Sequence, residues 1–120
     1  MSDLTPSSNS TRWLITLSGA PQSVSAVRAG ADLALAAGAF GQQVTLVFSG
    51  DGLEFLKPAP ADDESLYRLL GSLSFYEIEQ VHALTLGEES RVFRSDLVVV
   101  TMTPDEWAAA AAAADIVVNY

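Results

Sequence analysis

The sequence predicts an α/β domain, a three-layer α/β/α sandwich built on a five-stranded, mostly parallel sheet. Five short apolar runs recur along the chain, at Trp13–Leu17, Val44–Phe48, Gln80–Thr85, Leu97–Met102 and Ile116–Val118. Four of them are nearly continuous and rich in Val, Ile or aromatic residues, as strands covered on both faces are. Stretches with helical spacing separate them. Strand alternating with helix implies parallel pairing through right-handed crossovers.

Each element has its own signal. Residues 1–12 are rich in Ser, Thr and Asn and contain no apolar stretch. They are expected to be a disordered lead-in rather than a secretory signal, which leaves residues 13–120 as one domain. Between the first two strands, Ser23 to Ala39 sets Val27, Gly30, Ala31, Ala34, Leu35 and Gly38 on one helical stripe. Ser23 suits the N-cap, and Gly41 the exit, with Gly38 a turn earlier as the alternative. After the second strand, Gly50–Leu56 reads as a short helical turn, and residues 57–61 as a stiff Pro-containing connector.

Asp62 to Leu73 predicts the second helix. Asp62 or Asp63 would cap it, and Leu66, Leu69, Leu70 and Leu73 would form its buried face. The third strand is the weakest of the five, because His82 interrupts it. The third helix has the clearest start. In Thr103-Pro104-Asp105-Glu106, Thr caps, Pro takes the first helical position and Glu reaches back to the cap. Seven alanines follow Trp107 and are expected to pack closely on the sheet.

Composition then removes whole classes of chemistry. The 120 residues include no cysteine, one histidine (His82) and one lysine (Lys57). Thiolate catalysis, disulfides and zinc–thiolate clusters are therefore excluded. Net charge is −9, which opposes binding to nucleic-acid phosphates and to anionic membranes. No apolar run reaches the ~20 residues of a membrane span. Cytoplasmic residence is the expectation. Apolar residues nevertheless make up 49% of a chain with 15 acidic groups, a surplus that points to burial against other subunits.

Ligands of open α/β sheets collect at the carboxyl ends of the strands. The loop Ser18–Ser23 lacks both the Gly-x-Gly-x-x-Gly spacing and a P-loop lysine, and reads as a turn plus a cap. Ser49-Gly50-Asp51-Gly52 reads as a sharp turn, and Asp51 alone offers too few ligands for Mg or Ca. His82 lacks a nucleophile and an orienting partner at any recognisable spacing. It is expected to be a hydrogen-bonded structural or interface residue. Glu77 and Glu79 read as solvated charges ahead of the strand. Arg28 and Asp32 stand four apart on the first helix, as a weak surface pair or an interface anchor. No catalytic, cofactor-binding or metal residue is assigned. The candidate interface residues are Arg28, Asp32, Tyr76, His82 and Trp107.

Several segments taken together carry a resemblance. They are Leu17-Ser18-Gly19-Ala20-Pro21, Arg28-Ala29-Gly30-Ala31-Asp32, Asp51-Gly52-Leu53, Leu73-Ser74-Phe75-Tyr76-Glu77-Ile78-Glu79-Gln80-Val81 and Asp115-Ile116-Val117-Val118. In order and spacing this resembles the DsrE/DsrF-like sulfur-relay family, and most closely its TusC/DsrF subunit type. The resemblance spans about Trp13 to Tyr120.

It implies the same sandwich, with the flavodoxin-like arrangement common to DsrEFH proteins. It also implies a heterohexamer with TusB/DsrH-like and TusD/DsrE-like sister subunits. Such a complex passes persulfide sulfur, toward wobble uridines of tRNA in one branch and within sulfur oxidation in another. In the TusD/DsrE-type sister the sulfur-carrying cysteine lies after the third strand, which here corresponds to Leu84, Thr85 and Leu86. The resemblance therefore implies a non-catalytic structural subunit of a sulfurtransferase complex, with no cofactor of its own and no direct contact with nucleic acid. The alternative is a module that binds a small ligand, a nucleotide or a flavin, through the loops after Leu17 and Phe48.

Overall fold

The computed structural model describes residues 11–18, 24–58, 64–85 and 92–120. The strands are β1 (Arg12–Leu17), β2 (Gln43–Phe48), β3 (Val81–Leu84), β4 (Val99–Met102) and β5 (Ile116–Asn119). The helices are α1 (Val24–Ala39), α2 (Glu64–Gly71) and α3 (Pro104–Ala113), with two 3-10 helices at Gly50–Leu56 and Leu73–Tyr76. One sheet contains all five strands in the order β4-β3-β2-β1-β5, every neighbour parallel. The strand boundaries shift by up to two residues from the apolar runs. β1 opens at Arg12, inside the expected lead-in, and Leu97 and Val98 precede β4. The proposed caps Ser23, Asp62 and Asp63 lie outside the described residues.

The register decides which side chains share a face. Ile15 aligns with Leu46 and Leu17 with Phe48; Leu14 aligns with Thr45 and Thr16 with Val47. Alternation along each strand sends the two sets to opposite sides. On the first side Ile15, Leu17, Leu46, Phe48, Val81 and Ala83 meet buried residues of α1, α2 and both 3-10 helices. Each such Leu, Ile or Phe contributes roughly 1.5–3 kcal/mol on leaving water. On the second side lies a smaller core of Leu14, Val47 and Met102, covered among the described residues by α3.

The third helix starts as its sequence predicts. The Thr103 hydroxyl accepts from the Glu106 N–H at 3.1 Å, and the Thr103 N–H donates to the Glu106 carboxylate at 2.8 Å. One turn in, the Trp107 indole N–H donates to the Thr16 hydroxyl at 3.0 Å, pinning α3 to β1. The alanine tract divides. Ala110, Ala111 and Ala114 pack toward the second core, whereas Ala108, Ala109, Ala112 and Ala113 are exposed. Close packing on the sheet thus involves only part of the tract.

The second helix is shorter than its leucine pattern suggests. α2 stops at Gly71, where the Ser72 hydroxyl donates to the Leu69 carbonyl at 2.6 Å and turns the chain. Leu73–Tyr76 then wind as a 3-10 helix that closes on Glu77 at φ 71°. This segment rests on the C-terminal end of α1. A Cβ on Gly38 would overlap the Tyr76 carbonyl, so only glycine permits the approach. Gly41, at φ 79°, completes the exit from α1.

Gly38→Ala is accordingly expected to destabilise the fold by about 1–3 kcal/mol, as overpacking against backbone does. A urea midpoint unchanged from wild type would show that the α1 end yields freely.

Candidate functional site

A pocket lies near the carboxyl ends of the strands. It is a cavity of about 220 Å³ lined by Leu53, Leu56, Lys57, Pro58, Val92 and Phe93. The sequence explains one wall. After β2 comes Ser49, whose N–H donates to the Leu17 carbonyl, and Gly50 at φ 52° starts the 3-10 helix that delivers Leu53 and Leu56. Gly52 passes so close to the Leu17 carbonyl that a Cβ would collide with it. Asp51 stays exposed in the first turn of that helix.

The other wall is held by a residue that the sequence did not single out. Arg94 is 2% exposed. Its Nε and Nη2 donate to the two Asp96 carboxylate oxygens, both at 2.6 Å, in a bidentate fork. Nη2 also donates to the Tyr67 carbonyl at 2.8 Å and Nη1 to the Phe55 carbonyl at 3.3 Å. The guanidinium lies 3.5 Å from the Tyr67 ring centroid. Tyr67 in turn donates its hydroxyl to the Pro58 carbonyl at 2.7 Å. Arg94 thereby ties the approach to β4 to α2 and to the 3-10 helix, and this network frames the pocket. The hydrogen bonds from Arg94 hold the Asp96 carboxyl below its ordinary value, against a smaller opposing effect of burial.

The pocket is poor in reactive groups. Its one charged lining residue, Lys57, pairs with Glu54 at 2.7 Å. Leu84 ends β3, half-buried, and the Thr85 N–H donates to the Met102 carbonyl at 3.0 Å. Leu86 lies outside the described residues. Among the described residues no three His, Asp or Glu side chains converge as a metal site would require.

His82 is not part of this edge. It faces the second side, with Val47 and Val100 as its register partners. Its imidazole makes no hydrogen bond to a described residue, unlike the hydrogen-bonded histidine expected. Burial pushes its pKa below the ordinary 6.5, and Glu106 pulls more weakly the other way. The remaining candidates are scattered. The Arg28 guanidinium donates to the Ser65 hydroxyl at 3.2 Å, bridging α1 to α2, and forms no ion pair with Asp32, which is exposed. Tyr76 is exposed at the far end of the molecule, and Trp107 lies in the second core. The five residues do not form one cluster.

The model of the DsrE/DsrF-like family matches residues 12–120. The chain belongs to that family. Its sandwich is similar to the crystal structure of the YchN protein from E. coli, with a TM-score of 0.74 over 92% of this chain and 99% of that one. Identity is 18%, so this likeness speaks to the fold. No curated protein sequence matches. In this chain β3 ends at Leu84, Thr85 follows it, and the sequence contains no thiol.

Two measurements follow. Arg94→Lys keeps the charge but loses the fork, and is expected to cost about 2 kcal/mol of stability. A chevron or urea titration matching wild type would mean the network carries no weight. For His82, the unfolded chain takes up a proton near 6.5 while the folded chain resists until lower pH. Stability should therefore fall as pH drops through that value, and His82→Gln should flatten this part of the profile.

Proposed function

We propose that this chain is a non-catalytic, positioning subunit of a sulfur-relay complex of the DsrEFH or TusBCD type. One observation carries the reading: a member of the DsrE/DsrF-like family, matched from residue 12 to 120, has no cysteine anywhere in its sequence. In persulfide relay, an acceptor thiolate attacks the outer sulfur of a donor persulfide. The S–S bond breaks, and the donor leaves as a thiolate. Both sulfur atoms must then belong to other chains. What this subunit supplies is geometry, since the rate of such an exchange depends on how the two sulfurs are held.

The sister chains would be of TusB/DsrH and TusD/DsrE type, in a cytoplasmic heterohexamer. The downstream acceptor in this reading is a carrier that feeds thiolation of the tRNA wobble uridine. The apolar surplus of the chain and its half-covered second sheet face support burial against other subunits. Arg28, Asp32, Tyr76, His82 and Trp107 stand as interface candidates within it.

The pocket beside Leu53 and Phe93 favours a second reading, a small-ligand module. At about 220 Å³ it falls below the 300–1,000 Å³ typical of ligand sites and is small for a nucleotide or a flavin. Thermal shifts with flavin mononucleotide and ATP separate the two, and none is expected.

The main test is co-expression with a TusB/DsrH-type and a TusD/DsrE-type sister chain. A stoichiometric complex is expected, one sister bearing the labile sulfur and this chain remaining unmodified by mass spectrometry after incubation with a persulfide donor. A stable monomer that ignores both sisters would refute the reading.

A further inference from the structure

The amino ends of β2 and β3, opposite the pocket, carry an exposed aromatic patch. Phe40 follows the C-terminus of α1 and is 83% exposed; Phe75 on the second 3-10 helix is also 83% exposed, and Tyr76 beside it 40%. Their two segments are locked together. Ile78, 4% exposed, packs at Gly38, and the Tyr76 carbonyl abuts the same glycine. Nothing in the fold requires these rings at the surface. At the ~200 Å² that an aromatic residue can bury, the three together expose on the order of 400 Å², comparable to the largest apolar patch of a typical monomer, which is often functional.

Acidic residues follow the patch in sequence. Glu77 and Glu79 follow Tyr76 directly, both are exposed, and neither forms an ion pair with a described residue. By contrast Arg12, Lys57 and Arg94 are each paired with a carboxylate elsewhere. A second copy of the chain is a poor occupant. A two-fold contact would set this acidic segment against itself, between molecules that each carry a net charge of −9.

We propose that Phe40, Phe75 and Tyr76, edged by Glu77 and Glu79, form the docking surface for a different protein chain whose facing surface is apolar and rimmed by Lys or Arg. As the identity of a partner within a relay complex, this rests on the function proposed above; as a surface property it stands alone. The aromatic rings are the anchors, and the two glutamates select against self-association and steer a cationic partner. Because the patch lies at the amino edge, the occupant leaves the carboxyl-edge pocket open.

The test uses the full chain, Phe40→Ser/Phe75→Ser and Glu77→Lys/Glu79→Lys, with circular dichroism confirming that each variant is folded. The probes are the two co-expressed sister chains and, separately, an amphipathic Leu/Lys helical peptide followed by fluorescence anisotropy. Each double substitution is expected to weaken binding of either probe about tenfold, as loss of a buried anchor or of charge complementarity does. Added salt should weaken wild type and leave Glu77→Lys/Glu79→Lys nearly unaffected. Peptide binding lost in the variants, with sisters that ignore even the wild type, would overturn the relay function and uphold the surface. Sisters that bind all three proteins equally would overturn the surface and leave the function standing. Equal peptide binding by all three would overturn the surface as well. So would self-association of the wild type that Phe40→Ser/Phe75→Ser abolishes, since the occupant would then be a second copy.

Discussion

Burial of β1 and β2 on both sides is the constraint from which the rest follows. Their register fixes Ile15, Leu17, Leu46 and Phe48 on one face and Leu14 and Val47 on the other. A slip of one residue would exchange every one of these side chains between faces. The two faces are not equally closed. Two α-helices and two 3-10 helices seal the first, while one ten-residue helix covers the second, held by its cap and by the Trp107–Thr16 hydrogen bond. The small side chains of α3 let it lie near the sheet, yet they bury little area each. That imbalance leaves Val100 and Val117 partly open to solvent on a chain already rich in apolar residues.

The two ends of the sheet differ in kind. Near the carboxyl ends, where parallel sheets usually do their chemistry, lies a small apolar pocket, flanked by a network of Arg94, Asp96 and Tyr67 that reaches the C-terminal end of α2 at Gly71. The network spends a buried guanidinium on structure, since its hydrogen bonds run to two backbone carbonyls and one carboxylate. At the amino ends the chain instead shows rings and acids, which recognise surfaces rather than transform small molecules. A scaffold whose reactive edge is inert and whose opposite edge is adhesive suits a subunit that arranges other chains.

Much of this architecture was legible in the residues. The apolar runs located all five strands, and Thr103-Pro104-Asp105-Glu106 announced the start of α3 with both hydrogen bonds of its capping box. Local patterns such as these depend on neighbours in sequence, which is why they can be read. The Arg94 network could not be. Apart from Asp96, its partners come from Phe55 and Tyr67, 39 and 27 residues away, and through backbone carbonyls that leave no residue signature. The Arg28–Asp32 pair failed for the same reason in reverse: a competing long-range acceptor, Ser65, took the guanidinium. Phe40 and Phe75 escaped notice because aromatics are assumed to be core unless tertiary structure shows them outside.

The two tryptophans fall one to each layer. Trp13 packs against the larger core and donates its indole N–H to Gln42, while Trp107 serves the smaller core under α3. Intrinsic fluorescence of this domain is therefore the sum of two spatially separate reporters. Replacing either indole by phenylalanine leaves emission that follows a single side of the sheet, so that one can ask optically whether both layers melt as a unit or the thinner one loosens first.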